Sequence, residues 1–115
     1  MTSQEEAFSI LRKWRDESAQ LEYSDVIPWE NSKGETFTIA NGQRPTRIVD
    51  VSPGSVILRV DESPETRELE LLGATFEYGD ARESPFRDLP SEQYVCWLEI
   101  ELADGRLIVF AERSE

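Results

Sequence analysis

Residues 94–113 read YVCWLEIELADGRLIVFAER, and the fold class turns on this stretch. Two apolar-rich runs, 95–102 and 107–111, flank Asp104-Gly105. Asp-Gly between two such runs is a strong hairpin signal, because glycine accepts the positive φ that a tight turn requires. In the first run Cys96, Leu98, Ile100 and Leu102 share one side, while Trp97, Glu99 and Glu101 share the other. That period of two predicts a strand with one buried face. The return run, Leu107-Ile108-Val109-Phe110, is apolar on both faces and is expected to lie centrally in a sheet.

Two registers fit the hairpin. A two-residue Asp-Gly turn pairs Leu102 with Leu107 and Ile100 with Val109. A three-residue turn, Ala103-Asp104-Gly105 with a bulge, pairs Ile100 with Ile108 and Leu98 with Phe110. A slip of one residue would move every side chain to the other face. We favour the three-residue turn, because it sets the larger side chains opposite the apolar face. Sequence alone leaves both registers open.

Upstream, Ser3-Gln4-Glu5-Glu6 reads as a capping box, in which the serine hydroxyl and the glutamate carboxylate each satisfy a backbone N–H. Ala7, Phe8, Leu11, Trp14 and Leu21 follow on one stripe, with Ile10 beside it and charged residues around the rest. The pattern predicts an amphipathic helix over about 4–21. Residues 23–35 have no clear period. Pro28 excludes a continuous helix there, and Trp29 is expected to anchor this connection onto the core. Strands are predicted over 36–40, 46–51, 55–60, 67–78, 94–103 and 106–112. Asn41-Gly42-Gln43-Arg44-Pro45 reads as a loop and Pro53-Gly54 as a tight turn, since proline presets φ and glycine supplies a positive one. Within 67–78 the apolar parity changes at Leu72-Gly73, which predicts a bulge or a sharp bend. Residues 79–93 form the longest predicted loop. The expected architecture is α+β and mainly β, a single domain over 1–115. An N-terminal amphipathic helix packs on a six-stranded antiparallel sheet, strongly bent or closed into a small barrel.

Charged residues make up 31% of the chain, above the ~25% usual for globular domains. The net charge is −12, and it is lopsided. Residues 1–60 carry 9 acidic and 7 basic side chains, whereas residues 61–115 carry 15 and 5, a net of −10. Such a field repels nucleic acid and anionic membranes and attracts basic proteins. No apolar run approaches the ~20 residues of a spanning helix, and the N-terminus has no signal-peptide core, so a cytoplasmic protein is expected. Cys96 is the single cysteine and is expected to be a buried thiol.

The chain has no histidine, which removes Ser-His-Asp and Cys-His catalysis and ordinary histidine zinc sites. It has no glycine-rich phosphate loop, and no cofactor or metal is expected. Carboxylates are the abundant reactive groups, with Glu68/Glu70 and Glu99/Glu101 as same-face pairs. Alternating acids on a strand usually mark its solvent face, so the reading is of a non-enzyme. Arg44-Pro45-Thr46-Arg47 followed by Asp50-Val51-Ser52-Pro53-Gly54 resembles fragments of the PilZ signature for cyclic dinucleotides. Both spacings depart from that signature, so no function is carried over, and a hairpin with a Pro-Gly turn accounts for these residues.

Two functional readings remain. The first is a small acidic module, inhibitor-, immunity- or antitoxin-like, that binds a basic protein. Trp97, Glu99, Glu101 and Glu112 would form its face, an aromatic for apolar area and acids for steering. The competing reading of Trp97 places it beneath the N-terminal helix. The second is a barrel for a small apolar ligand, with Phe37, Phe76, Tyr78 and Phe110 lining the cavity. Either is expected as a monomer or a homodimer.

Overall fold

The computed structural model describes residues 2–30, 32–61, 63–80 and 93–114, and of residues 27–29 and 36–43 the backbone only. Helix α1 spans Gln4–Asp16. Its start is the capping box: Ser3 Oγ accepts from the Glu6 amide at 3.1 Å while the Glu6 carboxylate accepts from the Ser3 amide at 3.4 Å. Glu5 and Glu6 in the first turn and Lys13 and Arg15 in the last complement the helix dipole. Ala7, Phe8, Leu11 and Trp14 form the buried stripe. The helix ends earlier than its sequence pattern predicts. Glu17 caps it, Ser18 turns the chain out at φ 49°, and Leu21 opens the first strand instead of closing the helical stripe.

Among the described residues seven strands follow: β1 (Leu21–Glu30), β2 (Thr36–Ser52), β3 (Ser55–Val60), β4 (Arg67–Glu70), β5 (Thr75–Asp80), β6 (Tyr94–Glu101) and β7 (Leu107–Arg113). They form one antiparallel sheet in the order β4-β3-β2-β1-β7-β6-β5. Seven strands replace the expected six through three corrections. Residues 21–30 are the central strand, where Leu21 was expected to close the helix and residues 23–30 to be connection. Pro28 fits there because β1 pairs with β7 only as far as Asp25, so the missing N–H can fall on a free side. The two strands expected at 36–40 and 46–51 are one continuous β2. Its predicted loop is a register shift opposite Tyr23 and Asp25, a bulge. The expected long strand 67–78 is two, and the parity change at Leu72-Gly73 is a complete break between them.

That break shapes the sheet. Every strand pairs with its sequence neighbour except β4 with β5, and β7 returns to pair with β1. Laid flat, seven strands would hold the two edges roughly 29 Å apart. The link from Glu70 to Thr75 can span at most about 18 Å. The sheet therefore curls until its edges approach. The Leu71 amide donates to the Gly54 carbonyl at 2.7 Å. A Cβ on Gly54 would lie 3.1 Å from Leu72, and one on Gly73 would lie 3.3 Å from Ala103, so the link touches both the β2–β3 and the β6–β7 turns. Among the described residues no ladder joins β4 to β5 and no barrel closure is found.

α1 lies on the concave side, packed against β2 and β5. Phe8 meets Phe76 edge-on at 6.1 Å, and Trp14 meets Phe110 at 6.4 Å. Burying Phe8, Leu11 and Trp14 stabilises the docked helix by about 1.5–3 kcal/mol per side chain. The main core joins these to Leu58, Leu98, Ile100, Ile108 and Phe110. A smaller cluster on the convex side holds Val26, Tyr94, Trp97, Val109 and Ala111. The hairpin of β6 and β7 has the three-residue turn: Leu98 faces Phe110, Ile100 faces Ile108, and Gly105 takes φ 93°.

Candidate functional site

The acidic face expected on β6 is present, with altered membership. Phe76 points into the core, so its neighbour Glu77 points out, directly opposite Glu99. Glu101 follows two residues along the same face. Glu77 and Glu101 are exposed and Glu99 is half-buried. Burial, then the charges of Glu77 and Glu101, push the Glu99 carboxyl above its ordinary value. Among the described residues, none of the three has an ion pair. Glu77 was legible in the period-two pattern of 75–80, but a strand thought continuous from 67 hid its position at a sheet edge.

Trp97 shares this face and is only 7% exposed. Its indole N–H donates to the Asp80 carbonyl at 3.0 Å, and its ring lies over Gly79, where a Cβ would come within 2.5 Å of Cζ2. It belongs to the convex cluster, so it is neither an exposed aromatic nor covered by α1, which lies on the opposite side. Glu112 does not join Glu99 and Glu101. The register that carries Ile108 and Phe110 inward carries Glu112 with them, opposite Cys96. Its Oε1 accepts the Trp14 indole N–H at 2.8 Å and lies 3.6 Å from Cys96 Sγ. Burial pushes the Cys96 thiol up to about 11.

The described side chains among the aromatics expected around a cavity do not converge on one. Phe76 packs on Phe8, Phe110 lies against Trp14 and, at 5.5 Å, Tyr23, and Tyr78 is 43% exposed. The Phe37 side chain lies outside the described residues. Glu68 and Glu70 are exposed on edge strand β4, beside a groove of about 440 Å³ shared with Leu72 and Asp104. Among the described residues, no group of three or more carboxylates or thiols could hold a metal ion. Arg44 pairs with Asp61 at 3.6 Å, Arg47 donates to the Ser18 carbonyl at 3.2 Å, and Asp50 to Gly54 run into the β2–β3 turn. No helix of the described residues is long and apolar enough to cross a membrane. No protein-family model matches the chain, and no curated protein or solved structure is significantly similar to it.

Proposed function

We propose that the protein is an acidic interaction module whose convex β5–β6 face binds a basic surface on a partner protein. The observation that carries this reading is the row Glu77, Glu99 and Glu101, with two of the carboxylates directly opposed across the strands. Like charges in that position destabilise a sheet. Lysine or arginine side chains from a partner would offset the repulsion at a site already partly desolvated. The −10 net charge of residues 61–115 would add long-range attraction. The competing reading, an apolar ligand held in a closed barrel, has less in its favour, because Phe8 and Trp14 of the helix meet Phe76 and Phe110 where a cavity was expected.

The test is affinity capture from source cells at low salt, with wild type beside the triple variant Glu77→Gln, Glu99→Gln, Glu101→Gln. The expected result is a basic protein retained by wild type, released as salt rises, and lost with the variant. Equal capture by the variant, or a complex indifferent to salt, would sink the reading.

A further inference from the structure

A second charged feature lies elsewhere on the sheet and has the opposite sign. Arg47 on β2 and Arg59 on β3 are directly opposed across the ladder, so their side chains share one face. Both are exposed. They line a groove of about 580 Å³ together with Arg113, Gln20, Leu21 and Pro45. Among the described residues no carboxylate lines it, in a chain with twice as many acids as bases.

The three guanidinium groups differ in how they are held. Arg47 is tied to the Ser18 carbonyl at the end of α1, at 3.2 Å. Arg113 is tied to Glu22 at 3.4 Å. Arg59 has no ion pair or hydrogen-bond partner among the described residues. Two arginines are thus anchored in place, and a third stands opposite one of them with its donors open. An adjoining groove shares Gln20, Arg47 and Arg113 and carries Glu17 and Glu112. Those carboxylates repel an anion from that end and leave the Arg59 end as the seat.

We propose that this groove binds a small phosphate ester. Directly opposed arginines repel one another, and a dianion between them would remove that cost. The planar fork of guanidinium donors matches phosphate oxygens two at a time. The groove volume falls in the range of about 300–1,000 Å³ typical of small-molecule sites, far larger than a lone phosphate needs. Pro45, exposed beside Arg44, offers apolar surface to the organic part, and the Gln20 amide offers a donor and an acceptor to its hydroxyls. A long polyanion is disfavoured by the acidic remainder of the molecule.

The test is isothermal titration calorimetry at low ionic strength with ribose 5-phosphate and with inorganic phosphate, each against chloride at matched ionic strength. Ribose 5-phosphate is expected to bind at one site per chain and more tightly than inorganic phosphate. Arg59→Gln is expected to weaken it at least ten-fold with the melting temperature in chloride not lowered, since Arg59 has no partner to lose. Arg47→Gln is expected to weaken it similarly. No heat beyond the chloride control, or unchanged affinity in Arg59→Gln, would overturn the proposal. Inorganic phosphate binding as tightly as the ester would overturn the ester assignment and make this a free-anion site. Self-association at low salt in sedimentation velocity, abolished by Arg59→Gln, would give the groove to the acidic face of a second copy and equally overturn it.

Discussion

Two ionisable groups show how position overrides composition. Cys96 is buried against Glu112 and Tyr78, and its thiol is pushed up to about 11 by that burial. It is therefore protonated at pH 8, and the thiolate is the reactive form. Native protein at pH 8 is expected to leave a disulfide reagent such as DTNB unreacted, with one thiol titrating after denaturation. Rapid reaction of the native state would contradict the burial of this side chain. Glu99 behaves in the opposite sense from the usual surface acid. Its folded-state pKa lies above the ordinary 4.5, so the folded state favours the protonated form. The stabilisation belonging to that form is fully present below about 4.5 and disappears as pH rises through the raised value. Glu99→Gln is accordingly expected to be more stable than wild type at pH 7, by about 0.2–1 kcal/mol for relief of the opposed pair with Glu77. Denaturation curves from pH 7 to pH 4 should show the gain shrinking on acidification. A gain that is constant or grows towards acid would refute the assignment.

Between elements, single contacts decide how the helix and strands are held. The Trp14 indole N–H reaches across from α1 to Glu112 on β7 at 2.8 Å. Glu112→Ala would leave that donor buried without an acceptor, at a cost of about 1–3 kcal/mol. Glu112→Gln keeps a carbonyl oxygen in place and is expected to recover most of the loss, measured by urea denaturation. The β5–β6 pairing depends on Gly79, whose missing side chain makes room for the Trp97 ring. Gly79→Ala drives a methyl into a ring that cannot yield easily, and overpacking of this kind costs about 1–3 kcal/mol. A shift in tryptophan emission should accompany the destabilisation, and an unperturbed spectrum would show that the ring does not lie where it is placed. The free side of β5 is itself covered. Thr2 donates its amide to the Phe76 carbonyl at 3.2 Å, and its hydroxyl accepts the Tyr78 amide at 2.8 Å. A sheet edge closed in this way is a poor template for pairing with another chain.

Across the whole molecule, charge is separated. The acidic row lies on β5 and β6, and the opposed pair Arg47 and Arg59 lies on β2 and β3, beyond β1 and β7 in the strand order. The excess of acid remains −12, and self-repulsion on that scale weakens the compact state. Raising sodium chloride from about 10 to 150 mM shortens the Debye length from about 30 to 8 Å. The melting temperature is therefore expected to rise over that interval by scanning calorimetry. A fall would mean that attractive ion pairs outweigh the repulsion. The curl of the sheet belongs to this scale as well. The same meander with a longer link between β4 and β5 would have no need to bring its edges together.

Much of this fold was written locally. The capping box and the stripe of Ala7, Phe8, Leu11 and Trp14 specified the helix, and the alternation of Val56, Leu58 and Val60 specified β3, because each depends only on residues a few positions apart. The Asp104-Gly105 turn was likewise legible, through the one residue type that accepts φ 93° without strain, whereas its register was decided only by the pairing of β6 with β7. Within the acidic face, Glu99 and Glu101 were legible for the same reason. Other features depended on partners distant in the chain. β1 reads as irregular because Glu22 and Ser24 occupy central positions, and it is a strand only through β2 on one side and β7 on the other. Leu72-Gly73 signalled a disturbance, but whether it bends a strand or ends one depends on what lies at the far edge of the sheet. The side taken by Glu112 follows from a register shared with β6, and the meeting of Arg47, Arg59 and Arg113 requires three strands to be in place. Local periodicity determined helix, turn and the inward face of each regular strand. Only tertiary pairing, whose hydrogen bonds and like-charge contacts join residues dozens of positions apart, decided the strand order, the open seam and the charges that face one another.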